Sequence, residues 1–221
     1  MQKRYLDEAQ QRRLLEGPKR STDPLAQRDY HWLAALMLTG MRITEFSRLS
    51  VSLVRRALDA GWLVSPKEHC KGKRKANDYK ITLPLRQHLQ ALLKLSDAHP
   101  QAGEPDQPLV WGRDISGRAG PLSVRSYEDR IKHWAQVAGL DPRISPHWLR
   151  HTRAMNVMRR GRGKEENRLK VAQIALNHAS LKSTGVYLGL SREEYEAEIQ
   201  AIDGGRMRKR EARRAVEEMT S

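Results

Sequence analysis

Cysteine is nearly missing from this 221-residue chain. Cys70 is the only one, which excludes an internal disulfide and fits a reducing compartment. Long apolar runs are also missing. The longest, Trp32 to Leu38, is far too short to span a bilayer, so a membrane partner is not expected. Met1-Gln2-Lys3-Arg4-Tyr5 leads into polar sequence without an apolar signal region, which argues against secretion and for the cytoplasm. Acidic residues are in deficit, 26 against 41 Lys plus Arg, so the formal net charge is +15 and the pI is near 10.3. Such an imbalance favours a polyanionic partner, double-stranded DNA above all. Six to ten cations meeting phosphates would make affinity fall by roughly 10³–10⁵ between 50 and 200 mM salt. No basic amphipathic helix carries the bulky apolar anchors that an anionic membrane would require.

What is present reads as mostly helix with a small sheet. Asp7 is placed to cap a first helix that Gly17-Pro18 would stop. Leu25, Trp32, Leu33, Leu36 and Met37 follow helical spacing up to Gly40. Arg42 opens a third, short helix with Ile43, Phe46 and Leu49 on its apolar side. Trp62-Leu63-Val64 and Tyr79-Lys80-Ile81-Thr82-Leu83 read as strands flanking the polar turn from Lys71 to Asp78, and Leu109-Val110-Trp111 as a third short strand. Leu85, Leu89, Leu92 and Leu93 restore helical spacing, and Ser123 and Ser145-Pro146 open two more helices. Helical stretches near 168–177 and 181–188 follow. Ser191 to Glu194 forms a capping box for a last helix faced by Tyr195, Ile199 and Ile202. The expected fold is a helical bundle with a small antiparallel β-sheet (α+β, mostly α), and residues 204–221 form a basic tail.

One ordered set of residues carries chemistry: Arg42, then His147-Trp148-Leu149-Arg150, then His178, then Tyr187. Breaking a phosphodiester builds negative charge on non-bridging oxygens, and fixed cations must stabilise it if no metal does. Arginine is always charged and presents a planar fork of donors. A helix puts His147 and Arg150 on one face, and Glu45, one turn after Arg42, is placed to hold its guanidinium. Tyr187 supplies a phenol nucleophile, with neighbouring cations or His147 helping to remove its proton. A lysine at the tip of the strand turn can protonate the leaving oxygen. Lys71 is preferred there, with Lys73, Arg74 and Lys75 as phosphate contacts and Arg153 as a further DNA contact. Each of these residues alone is ordinary: a surface ion, a helix-start histidine or a core tyrosine. His147 and His151 stand i, i+4, but no Glu lies between them in the protease pattern and no third ligand is evident, so neither a metal site nor another cofactor is expected.

Taken together, these residues resemble a family. Thr39-Gly40-Met41-Arg42-Ile43-Thr44-Glu45 resembles the first box of the tyrosine recombinases, the phage-integrase group. Ser145-Pro146-His147-Trp148-Leu149-Arg150-His151-Thr152 is similar to the family's His-x-x-Arg box. Leu176-Asn177-His178-Ala179-Ser180 through Tyr187 looks like the third box, and Lys71-Gly72-Lys73 like the lysine of the strand turn. The resemblance spans residues 5 to 190 and implies the tyrosine recombinase catalytic-domain fold over residues 1–203. It implies that Tyr187 forms a 3′-phosphotyrosyl link while Arg42, Arg150, His147 and His178 brace the phosphate. Lys71 would act as general acid and Glu45 as support, without metal or nucleotide. It also implies a homo-tetramer on paired DNA sites in the nucleoid, accessory DNA-bending proteins, and a C-terminal helix docking on a neighbour, for which Tyr195, Ile199 and Ile202 offer a face.

Two features depart from the family pattern. Asn177 stands where glycine is usual, and the expected catalytic part begins within ten residues of Met1. The N-terminal core-binding domain is therefore expected to be absent, as in the minimal fimbrial-switch invertases, or else the chain is a fragment. Integration, excision or inversion would be the reaction. Two alternatives use the same residues or scaffold: relaxation of DNA like a type IB topoisomerase, and a DNA-binding regulator that no longer cuts.

Overall fold

Asp7 closes a capping box on the first helix, α1 (Glu8–Arg20): its carboxylate accepts from the Gln10 N–H at 2.9 Å, and the Gln10 side chain accepts from the Asp7 N–H at 3.0 Å. The computed structural model describes residues 4–70, 72, 76–104, 106–113, 117–161, 165–177 and 192–204. Contrary to expectation, α1 does not stop at Gly17-Pro18 but runs three residues beyond Gly17, with Pro18 buried inside it. Tertiary contact outweighs the breaker here. A Cβ on Gly17 would stand 3.3 Å from the Trp134 ring, so the glycine serves close helix packing.

Helix α2 (Pro24–Thr39) starts on Asp23, whose carboxylate accepts from the N–H groups of Leu25 and Ala26. It is buried without interruption from Trp32 to Thr39, which makes it the central rod of the main core. Gly40 ends it in the left-handed conformation, φ 64°, with its N–H on the Leu36 carbonyl. A short α3 (Ile43–Phe46) follows, then α4 (Val51–Ala60), capped by Ser50 and closed by Gly61. Strands β1 (Trp62–Ser65) and β2 (Asn77–Lys80) pair antiparallel, Trp62 opposite Lys80 and Ser65 opposite Asn77. The expected second strand is therefore shifted. Ile81 and Thr82 lie past its end, and Leu83 already begins α5 (Leu83–Asp97), with Pro84 in the helix's first turn.

A second pair, β3 (Trp111–Arg113) and β4 (Ala119–Pro121), is separate from the first, so the described residues hold two two-stranded sheets where one was expected. Leu109 and Val110 precede β3 as buried core residues. Ser123 caps α6 (Val124–Val137), which buries Tyr127, Ile131 and Trp134 as its spacing requires. Among the described residues, helices α7 (Pro146–Arg160), α8 (Glu165–Ala175) and α9 (Arg192–Gly204) follow. The capping box at Ser191 and the helix expected over 181–188 lie outside the described residues. The fold is mostly α, with small antiparallel strand pairs at its edges.

Two polar ties fix the layout. Asp29, fully buried on α2, accepts from the indole N–H groups of Trp32 and Trp134, both at 2.9 Å, and from Arg28 and Arg130. Between α1 and α7, Gln11 and Asn156 exchange amide hydrogen bonds at 3.1 and 3.0 Å, and the Thr152 hydroxyl accepts from the Leu6 N–H. A second, smaller core joins α7, α8 and α9 through Val157, Val171, Ala175, Tyr195, Ile199 and Ile202. The apolar face of α9 is thus packed against this chain's own helices. The expectation that Tyr195, Ile199 and Ile202 present a free docking face is corrected accordingly.

Candidate functional site

The left-handed turn at Gly40 delivers Arg42 to the N-terminal edge of α3, where it is only partly exposed. Arg42 Nη1 meets Glu45 Oε1 at 3.0 Å, the i, i+3 pair that the sequence suggested. Glu45 itself has no exposed surface. Its carboxylate is held from the other side by strand β2: Asn77 Nδ2 donates to both oxygens at 3.2 Å, and the Tyr79 hydroxyl donates to Oε2 at 2.7 Å. A buried carboxylate with four such donor contacts is satisfied and fixed. Burial, and then the charge of Glu45, push the Tyr79 phenol well above its ordinary value, so it stays a protonated donor.

Arg150 comes to the same place from α7. It is 7% exposed and donates to two backbone carbonyls, Gly40 O through Nη1 and Leu176 O through Nη2, both at 2.5 Å. Arg42, Tyr79 and Glu45 all lie within electrostatic reach of it. Burial lowers its pKa, and the nearby Arg42 lowers it further, yet a guanidinium remains a cation throughout. Two guanidinium groups against one carboxylate leave a net positive charge at this spot. Leu176 sits just before Asn177, which adopts a positive φ of 50° and donates from Nδ2 to the Asp78 carbonyl at 2.9 Å. Asparagine tolerates that geometry, so the departure from glycine leaves the turn intact.

His147 lies exposed on the first turn of α7, one turn before Arg150. Its ring packs edge-on to His151, centroids 5.4 Å apart, and His151 is lowered by burial, then by the charges of His147 and Arg150. Lys71, Lys73, Arg74, Lys75, His178 and Tyr187 lie outside the described residues. Arg153 requires a correction. It is 3% exposed and paired with Asp203 of α9 at 2.5 Å, while Thr82 donates to the other Asp203 oxygen at 2.8 Å. A guanidinium committed to a buried carboxylate is not available to DNA, so its role is to dock α9 on α7.

The sequence model of the phage integrase family matches residues 4–194, nearly the whole chain. The chain belongs to the phage integrase family. Among curated members, tyrosine recombinase XerD of Pseudomonas aeruginosa is 30% identical over 191 residues, which cover 85% of this chain and 57% of that protein. Tyrosine recombinase XerC of Neisseria gonorrhoeae is 29% identical over 179 residues, covering 80% and 52%. The chain thus spans about half the length of the curated relatives it matches. Two solved structures share the integrase-family fold. The crystal structure of XerA recombinase has a TM-score of 0.60 at 24% identity, covering 92% of this chain and 64% of that one. XerH site-specific recombinase bound to a palindromic difH substrate has a TM-score of 0.57 at 21% identity, covering 88% and 51%.

Within this integrase-family chain, the residues that sequence reasoning missed are Asn77 and Tyr79. Their signal was faint: an i, i+2 polar pair on a strand whose inward face should be apolar. No described helix is long and apolar enough to cross a membrane.

Proposed function

We propose that this chain cleaves and rejoins DNA strands at specific sites through a 3′-phosphotyrosyl intermediate, in integration, excision or inversion. The observation that carries the proposal is the joining of Arg42 and Arg150, 108 residues apart in sequence, around one buried carboxylate with positive charge to spare. An anionic phosphate would neutralise that excess, and its non-bridging oxygens would gain charge as Tyr187 attacks. Fixed guanidinium donors oriented before the reaction lower the barrier without reorganising during it.

Tyr187 is the nucleophile: its phenol proton passes to His147 as base, and the bond to the 5′ oxygen breaks as the phosphotyrosyl bond forms. Lys71 gives the departing oxygen its proton, while His147 and His178 assist at the phosphate. Attack by another 5′ hydroxyl reverses the chemistry and joins new strands. The broken bond's energy is retained in the covalent link, so neither metal nor nucleotide is required. Lys73, Arg74 and Lys75 contact the backbone phosphates. Four protomers act on paired duplexes, with bending proteins assisting, in the cytoplasm at the nucleoid.

The test begins in cells. DNA covalently attached to the protein is recovered and its ends are sequenced, which defines a site. A nicked duplex of that site is then incubated with purified protein in EDTA. Wild type is expected to form a covalent adduct and Tyr187→Phe none. No adduct with wild type, or an adduct that survives Tyr187→Phe, would overturn the proposal.

A further inference from the structure

Strand β2 is tied to both arginines. Its inward-facing residues, Asn77 and Tyr79, hold the carboxylate that holds Arg42. The Tyr79 side chain also lies within electrostatic reach of Arg150. Between these two residues, the Asp78 carbonyl accepts from Asn177, which follows the Leu176 carbonyl that receives Arg150 Nη2. In sequence, Lys71 falls between β1 and β2, the two strands of this antiparallel pair.

We infer that β2 is a positioning element for the proposed cleavage site: the Tyr79 hydroxyl orients Arg42 through Glu45, and the Asn177 carboxamide, anchored on the Asp78 carbonyl, orients Arg150, both toward the non-bridging oxygens of the scissile phosphate. The inference rests on the strand-cleavage reading above. It assigns Tyr79 and Asn177 as positioning residues, acting through the arginines.

The chemistry of each group suits the task. The Tyr79 hydroxyl is a donor aimed at one oxygen of the Glu45 carboxylate, at 2.7 Å. Phenylalanine would fill the space yet leave Glu45 short of a donor, so that the carboxylate and the Arg42 it holds are free to rotate toward other geometries. At position 177, glycine can adopt the same left-handed backbone, so what asparagine adds is the side-chain donor to Asp78. That bond fixes the peptide on which Arg150 rests. Small displacements of a charge-stabilising group are costly: a misplacement of about 1 Å can reduce a rate by about 10²-fold.

Tyr79→Phe and Asn177→Gly are compared with wild type in single-turnover cleavage of the nicked site recovered as described above. DNA affinity and Tm are measured alongside. Cleavage is expected to fall by about 10- to 100-fold for Tyr79→Phe and by about 10-fold for Asn177→Gly, with affinity for the site unchanged. A second substrate replaces one non-bridging oxygen of the scissile phosphate with methyl, removing the charge that the arginines stabilise. On it the gap between wild type and both variants should shrink, whereas a general folding defect would lower both rates alike. Wild-type rates in both variants, or equal deficits on both substrates, would overturn the inference. Should Tyr79→Phe melt early, Asn177→Gly decides alone, since its backbone strain does not rise. Failure of wild type to form any adduct would instead overturn the strand-cleavage reading, and this inference with it.

Discussion

Arg42, Arg150 and Arg153 are three arginines of one chain with three different surroundings. Arg42 is partly exposed, Arg150 is buried on backbone carbonyls, and Arg153 is sealed in an ion pair with Asp203. Arg42→Ala and Arg150→Ala should each lower cleavage of the recovered site by roughly 10²–10³, with DNA binding less affected, as single-turnover rates and gel shifts would show. Arg153→Ala should instead cost stability, about 3–5 kcal/mol in urea unfolding, because Asp203 is left as an uncompensated buried charge. The local pattern made Arg42 with Glu45 legible, since i, i+3 on a helix fixes proximity. It could not separate Arg150 from Arg153, which share one basic helix. Asp203 settles that from 50 residues away, just as Glu45 recruits Asn77 and Tyr79 from 32 and 34 residues away.

Elements were legible where caps and apolar spacing agreed: Asp7, Gly40, Ser123 and Ser145-Pro146 all mark real boundaries. They were misread where a local rule met a tertiary contact or a competing local signal. Pro18 failed to end α1 because the helix is held against α6 just before it, through the Gly17–Trp134 approach and the Arg13 bond to the Ala138 carbonyl, and Gln27 of α2 binds the Pro18 and Lys19 carbonyls. The β-branched Ile81-Thr82 looked like strand, but Pro84 in a first turn was the better signal. Helix α4 was overlooked although Ser50 and Gly61 bracket it. Gly40 joins element to site. A Cβ there would stand 2.7 Å from Leu176 and 3.0 Å from Arg153, at φ +64°. Gly40→Ala should therefore destabilise by at least the about 1–3 kcal/mol of a left-handed non-glycine residue, and shift the carbonyl under Arg150. Gly61→Ala, whose nearest neighbour would be 3.8 Å away, should cost only the backbone strain. Chemical denaturation of the pair measures the difference.

Over the whole molecule, a surplus of cations coexists with a half-buried histidine, His31, whose burial disfavours charging. On α2 and α5, the Nδ1 atoms of His31 and His88 lie 3.0 Å apart beside Tyr30, and burial lowers the His31 pKa from its ordinary value. The unfolded chain would take up a proton near pH 6.5 that the folded one resists. Stability should thus be full above that pH and decline as pH falls through 6.5 toward the folded-state value. Urea midpoints at about pH 7.5 and about pH 5.5 should show the decline, and His31→Gln should flatten it. The direction would be refuted by greater stability in acid.

The carboxylate shared by Trp32 and Trp134 gives the folded chain an internal optical gauge. Two of the five indoles are tethered to one oxygen-rich centre between α2 and α6, so their emission colour depends on whether those helices remain together. Trp62, Trp111 and Trp148 sit elsewhere. A blue-edge signal from the tethered pair can be followed during denaturation without any attached dye.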